Sequence, residues 1–425
     1  MMRRSLGKVV TPNGRFLVGA ALIQIRSPRP ANGYHAGMSV SQNIKVLILG
    51  AGPAGLSLGR EMARRAISYL ILEKEHEVGS TFAKMTESTT FGPWLNNTLP
   101  GSPLPLAKLL SRTTRPDYAE YLREYARQHE LRVLTGVRVV SVQNEGNDFL
   151  VESEDGDTFK SEILVNATGI FSRPYRPEYH GAHTSMIPSI HSAEYRSPET
   201  VEKLTGRKDA KVLIVGSGLS AGEILAELDE AGCQVHLSHR GRIETWPSTL
   251  EETLLSPLSY LWENLSLRLG LGRPSNLRPR LRRGRQWSLL TSGKVVTHPD
   301  IIRMSPGQVT FVDRSVDSFD LILYATGYRP ALDHLAPMIS RGSPWVSGLE
   351  SAEIPNLFFL GLSGSRTFRS EFLRGIREDA VLLGAQIADR LSAPKLSPRP
   401  TPRRQAASKE EGVLQPPQST RIVSN

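Results

Sequence analysis

The sequence predicts an α/β protein with two Rossmann-like dinucleotide-binding domains. Three observations carry the prediction. Two glycine fingerprints, Gly50-Ala51-Gly52-Pro53-Ala54-Gly55 and Gly216-Ser217-Gly218-Leu219-Ser220-Ala221, each stand between an apolar strand pattern and a helix pattern. Each is followed by a second apolar run, ending at Glu73 in the first case and at Ser238 in the second. Further on, two more apolar strands end in one and the same turn, Ala167-Thr168-Gly169 and Ala325-Thr326-Gly327.

The first fingerprint follows Val46–Leu49, an apolar run suited to a strand buried on both faces. Gly50 allows the tight turn, Gly52 lets the backbone approach a pyrophosphate, and Gly55 lets the helix pack on the strand. Pro53 and Ala54 lie in the first helical turn, whose free amides and positive end face the phosphates. Glu73, 23 residues after Gly50 and just before Lys74, ends the Tyr69–Leu72 run, where a carboxylate accepts a ribose hydroxyl. Tyr118 to Leu131 carries Tyr118, Tyr121, Leu122 and Tyr125 at helical spacing. A strand pattern, Val133 to Val142, follows, then a hairpin from Phe149 through the turn Glu154–Asp157 to Phe159. Ile163–Val165 is a buried strand leading into Ala167-Thr168-Gly169.

The second unit repeats the pattern with Lys211–Val215 and Val235–Ser238 as strands. The same 23-residue step from Gly216 lands on His239, flanked by Ser238 and Arg240, with no acid. An acid would repel a 2′-phosphate, whereas Arg240 and Ser238 bind one, so this site reads as NADP(H) rather than NAD(H). Residues 254–271 are dense in leucine around Trp262, and Arg278, Arg280, Arg282, Arg283 and Arg285 follow. That stretch is expected to be a packed insertion; a cover over a substrate entrance and weak contact with a membrane surface are the alternatives. Val309–Val312, Leu321–Tyr324 and Phe358–Gly361 read as strands, and Ile376–Leu391 as a closing helix.

The chain has 425 residues and a formal charge of +10. Residues 1–37 carry +6 and residues 393–425 carry +4, so the part between is neutral. Basic ends without aromatic platforms read as solvated tails, and no nucleic-acid partner is expected. No apolar run reaches the ~18–20 residues a membrane span needs. A weak organelle-targeting signal in the basic N-terminus, or a true start at Met38, are alternatives to a plain cytoplasmic chain beginning at Met1. Cys233 is the one cysteine, which excludes an internal disulfide and a two-cysteine redox centre. The ten histidines show no metal-ligand spacing, so no metal is expected.

Together these motifs resemble the flavin-containing monooxygenases, including plant YUCCA-type and related bacterial enzymes. The resemblance covers roughly residues 44–391. It rests on both fingerprints, Glu73-Lys74, the turn before Ser172-Arg173-Pro174, His191-Ser192-Ala193-Glu194-Tyr195-Arg196 and Tyr324-Ala325-Thr326-Gly327-Tyr328. It implies that the first fingerprint binds FAD and the second NADPH, in a domain inserted into the FAD domain. The expected layout is a disordered basic extension (1–42), FAD domain (43–170), NADP domain (171–328), second FAD part (329–392) and disordered tail (393–425). The FAD contacts implied are Gly50, Gly52, Pro53, Ala54, Gly55, Glu73, Lys74, Val137, Ala167, Gly169 and Gly361. Those for NADPH are Gly216, Ser217, Gly218, Leu219, Ser220, Ser238, Arg240, Thr326 and Gly327. Asn97 and His191 are the candidate catalytic residues. The family pattern F-x-G-x-x-x-H is altered here, with Ser185 and Ile187 in place of the aromatic residue and glycine, and Tyr195 leans away from Baeyer–Villiger enzymes.

The implied reaction is NADPH-driven insertion of one oxygen atom into a small, partly apolar molecule through a flavin C4a-peroxide. A flavin reductase or oxidase without oxygenation is the first alternative. A non-catalytic redox-responsive flavoprotein is the second. Sequence assigns neither substrate nor oligomeric state.

Overall fold

The computed structural model describes residues 39–393 apart from 86–89, 103–107, 109–110, 247–248, 270–280, 340–345 and 364. Nearly all of both basic ends, with Arg278 and Arg280, lie outside the described residues.

The chain opens on β1 (Ser39–Leu49), which reaches back four residues into the segment expected to be a disordered extension. Its second half, Val46–Leu49, is completely buried, as an apolar central strand must be. Helix α1 (Pro53–Arg64) returns the chain to β2 (Tyr69–Glu73), parallel to β1. Helix α2 (Arg115–Gln128) starts on a capping box, in which Thr114 and Asp117 satisfy each other's backbone amides. Strand β3 (Val133–Thr135) then joins the sheet beside β2. The single strand expected over Val133–Val142 is broken at Gly136, whose φ is +72°. Beyond it lies a hairpin, Val139–Glu145 with Asp148–Ser153, which pairs antiparallel with β4 (Thr158–Asn166).

A second, five-stranded parallel sheet comes entirely from the residues after β4. Its members are β5 (Ser189–His191), β6 (Lys211–Val215), β7 (Gln234–Ser238), β8 (Val296–His298) and β9 (Leu321–Tyr324). Their spatial order is β8-β7-β6-β9-β5. Helix α3 (Leu219–Glu230) links β6 to β7, and α4 (Thr249–Arg268) follows β7. The chain then returns to the first sheet with β10 (Leu357–Phe359), parallel to β4, and ends in α5 (Leu373–Ser392). One dinucleotide-type domain is therefore inserted in the other. Ile376, Ala380, Leu383 and Ile387 of α5 share a buried core with Leu58 and Met62 of α1, closing the first domain across more than 300 residues of sequence.

The leucine-rich stretch departs from expectation. Leu254, Leu255, Leu258, Leu261, Trp262, Leu265 and Leu269 are exposed rather than packed. The reason is tertiary. Glu263 accepts hydrogen bonds from Arg374 at 2.9 and 2.7 Å, and Asn264 accepts two from buried Arg369 at 3.1 Å. The polar side of α4 thus faces the protein.

Candidate functional site

The two fingerprints adopt one geometry twice. Gly50 has φ +104° and Gly216 has φ +113°. The amide of Gly50 donates to Leu72 O at 2.7 Å, and that of Gly216 to Ser238 O at 2.8 Å. A Cβ on Gly50 would come within 2.6 Å of Ala167 O, and one on Gly216 within 2.5 Å of Ala325 O. Each first glycine is therefore locked beneath the alanine of an Ala-Thr-Gly turn. Ala167 N and Ala325 N donate in turn to Leu49 O and Val215 O, both at 2.9 Å. This contact explains why fingerprint and turn occur in pairs. Gly169 and Gly327 complete the turns at φ +69° and +80°.

The third position is packing. A Cβ on Gly55 would sit 1.9 Å from Gly50 O, so α1 lies directly on the turn. The second position is different in kind. A Cβ on Gly52 would meet no heavy atom within 4 Å, and no side chain caps α1 there. Gly52 and Gly218 have matching dihedrals, φ −81°, ψ −172° and φ −85°, ψ −174°, and neither α1 nor α3 is capped by a side chain. Open space in front of uncapped amides fits a pyrophosphate. Pro53 and Ala54 are buried in the first turn of α1, and Gly361 lies over it, its absent Cβ 3.6 Å from that of Ala54.

The second strands differ as the spacing indicated. Glu73 accepts from Ala51 N at 2.7 Å and Glu75 N at 3.0 Å, beside the first cradle. Burial pushes its carboxyl above the ordinary range, against the pull of those amides. Val137 N donates to Glu73 O at 2.8 Å, so the turn after β3 is tied to the same corner, with Lys74 following at the strand end. In the second domain His239 occupies the place of Glu73. Arg240, mostly exposed, is held by Asp300, Nε to Oδ2 at 2.8 Å, and Asp300 also accepts from the Tyr179 hydroxyl at 3.2 Å. Ser238 is turned inward: it is fully buried and its hydroxyl donates to Pro299 O at 2.8 Å.

His191 is fully buried with both ring nitrogens engaged. Nε2 faces Gly327 O at 3.0 Å, and Nδ1 accepts from Ala193 N at 3.1 Å. Burial lowers its pKa, so the neutral ring braces the second Ala-Thr-Gly turn. Thr326 reinforces that turn by donating to Tyr175 O. Asn97 is buried too, its amide donating to Gly92 O at 2.7 Å. Ser185 and Ile187, the altered positions before His191, are both buried.

A narrow cleft runs between the domains. Met85 and Arg115 line it on one side and Ser192, Ser220, Glu223 and Tyr328 on the other. Arg115 and Glu223 form an ion pair across it at 3.3 Å. Sequence reading missed this pair, since nothing local relates a helix-capping segment to a residue on α3. It also missed a histidine contact. His236 Nδ1 and His298 Nε2 are 2.8 Å apart, with Asp317 within 4 Å of both. The two rings are nearly coplanar and share an N–H···N hydrogen bond, and Lys211 pairs with Asp317 at 2.5 Å. Those bonds account for the cluster.

His334 was also missed. It is buried, its Nε2 2.9 Å from Asn166 Oδ1, and Asn166 in turn donates to Thr168 in the first Ala-Thr-Gly turn. Burial holds its pKa down to about 4. The folded protein then binds fewer protons than the unfolded chain between pH 6.5 and 4, and stability falls as pH is lowered through that window. The expected loss from this group is on the order of 2–3 kcal/mol by pH 4, and His334→Gln should remove that share while leaving the share of His236, whose pKa burial also holds down to about 4; chemical denaturation of both proteins at pH 7 and pH 4.5 checks this.

A family model described as pyridine nucleotide-disulphide oxidoreductase matches residues 47–265. The chain is similar to a CzcO-like oxidoreductase of Geobacillus kaustophilus, 27% identical over 80% of this chain and 97% of that one. It is equally similar, at 27%, to a probable indole-3-pyruvate monooxygenase, YUCCA1, of Arabidopsis thaliana, over 81% of this chain and 89% of the relative. Its fold matches a flavin-containing monooxygenase from Stenotrophomonas maltophilia with TM-score 0.68 and 24% identity, over 84% of this chain and all of that one. These are the relatives to which the motifs pointed.

Proposed function

The chain belongs to the pyridine nucleotide-disulphide oxidoreductase family, and from that membership we propose an FAD- and NADPH-dependent monooxygenase acting on a small, partly apolar molecule. The observation that supports this reading is the duplicated fingerprint turn with an uncapped helix, whose second strand leads to Glu73 in one domain and to His239-Arg240 in the other. A two-cysteine redox centre, the kind the family's name suggests, is excluded for this chain, because Cys233 is its one cysteine. YUCCA relatives, named as monooxygenases, favour oxygenation over plain reduction.

In this reading the first cradle holds FAD. Its pyrophosphate lies before the amides of α1, and Glu73 receives the ribose. The second cradle holds NADPH, with Arg240 at the 2′-phosphate. When bound, FAD supplies hydride acceptance and oxygen activation, so no protein nucleophile is needed. The chain's own residues align and shelter. The two Ala-Thr-Gly turns fix the cradles, and His191 positions the second turn as a neutral brace. The Arg115–Glu223 pair holds the two domains in register along the cleft. Asn97 secures the loop at Gly92. Water exclusion then depends on how tightly the cleft closes.

The test is anaerobic reduction of the FAD-loaded protein by NADPH, followed by mixing with oxygenated buffer. A long-lived absorbance distinct from oxidised and reduced flavin, with ¹⁸O from ¹⁸O₂ entering an amine, sulfide or 2-oxo acid, is the expected result. Direct return to oxidised flavin with hydrogen peroxide release would make it a reductase or oxidase. FAD binding without reduction by NADPH would make it non-catalytic.

A further inference from the structure

Helix α4 is inside-out for a surface helix. Its polar side is bound to the first domain through Glu263 and Asn264, held by Arg374 and by Arg369, which also pairs with Glu378 at 3.1 Å. Its apolar side looks outward, with the leucines and Trp262 47–67% exposed. At about 100° per residue these side chains cover roughly 120° of the helix, centred opposite Glu263 and Asn264. A partly buried charge network centred on Arg369 thus holds the apolar face toward the surroundings. That face offers on the order of 800 Å², more than a monomer ordinarily exposes and about what each partner contributes to a stable interface.

We propose that two copies of this chain pair through this face, their α4 helices antiparallel about a two-fold axis. The sequence is self-complementary in that arrangement. With the axis between Ser259 and Tyr260, Leu258 meets Leu261 of the partner subunit and Leu254 meets Leu265 of the partner subunit. In the same register Glu251 meets Arg268 of the partner subunit. Leucine thus faces leucine along the seam, and each end of it is closed by opposite charges, as an isologous contact requires. A bilayer fits less well. At the rim of the apolar face Glu251 and Arg268 offset each other, so the helix brings no net positive charge to an anionic surface. Glu251 already lies 3.6 Å from Arg283 of its own chain, so the seam's end is a small charge network rather than a lone pair.

Sedimentation velocity of the full chain tests this. The 46.9 kDa chain should sediment as a dimer at micromolar concentration. Leu258→Asp with Leu261→Asp should weaken association roughly 100-fold or more while leaving the circular dichroism spectrum of the folded chain unchanged, since both side chains are exposed. Glu251→Arg and Arg268→Glu should each weaken it about tenfold, and the two together should restore it. A monomeric wild type, or a dimer indifferent to the aspartates, would overturn the proposal. A monomer that floats with phosphatidylserine vesicles would assign the face to a membrane instead.

Discussion

Gly52→Ala is expected to purify as a folded, colourless protein. The new methyl meets no heavy atom of the chain within 4 Å, and the backbone there, φ −81°, ψ −172°, suits any residue. Folding loses nothing. Stability of the flavin-free form should even rise by a few tenths of a kcal/mol, because alanine narrows the unfolded ensemble. What the methyl occupies is the space before the amides of α1, where a pyrophosphate must come closest. Loss of affinity for FAD of roughly 100-fold or more follows, about 2.7 kcal/mol. Gly55→Ala is the contrasting variant. Its methyl would sit 1.9 Å from Gly50 O, a backbone atom that cannot step aside, so α1 must lift off β1. That protein should be unstable with or without flavin. Flavin absorbance per mole of protein, with melting curves of both variants, separates the two cases. If Gly52→Ala binds FAD normally, the first cradle is not a pyrophosphate site.

The contrast shows what was legible in the sequence. Glycines at positive φ, or beneath a passing backbone, are demanded by local geometry, so Gly50, Gly55 and Gly216 announced themselves by spacing. The step from fingerprint to strand end is also local, and it located both Glu73 and His239. Contacts set by distant residues were hidden. Ser238 stands beside Arg240 in sequence, yet β7 ends at Ser238 and packs its hydroxyl inward onto Pro299, 61 residues later. His191 carries a family pattern, but only the fold reveals that Gly327 and Ala193 consume both its nitrogens. The leucines of α4 looked like core because periodicity says that a face exists, not which way it points. Arg369 and Arg374, more than 100 residues later, decide that.

Arg240→Ala is expected to raise the KM for NADPH by roughly 10- to 100-fold while leaving that for NADH nearly unchanged. Arg240 follows the end of β7, and Asp300 fixes its guanidinium through Nε. Asp300 is itself fixed by Tyr179 and keeps the guanidinium firmly charged. The arginine is thus pre-positioned beside the place where an NAD-type site carries its acid. Because Arg240 is mostly exposed, its attraction for a 2′-phosphate is screened by salt. The NADPH KM of the wild type should therefore climb between 50 and 300 mM salt, and that of Arg240→Ala should stay flat. Adding His239→Glu to Arg240→Ala rebuilds the acid at the strand end that Glu73 supplies in the first domain, and should turn the preference toward NADH. Steady-state flavin reduction with both nucleotides across that salt range decides the matter. An unchanged NADPH-to-NADH ratio in Arg240→Ala would mean that the 2′-phosphate is recognised elsewhere, and the pairing with Asp300 would then be purely structural.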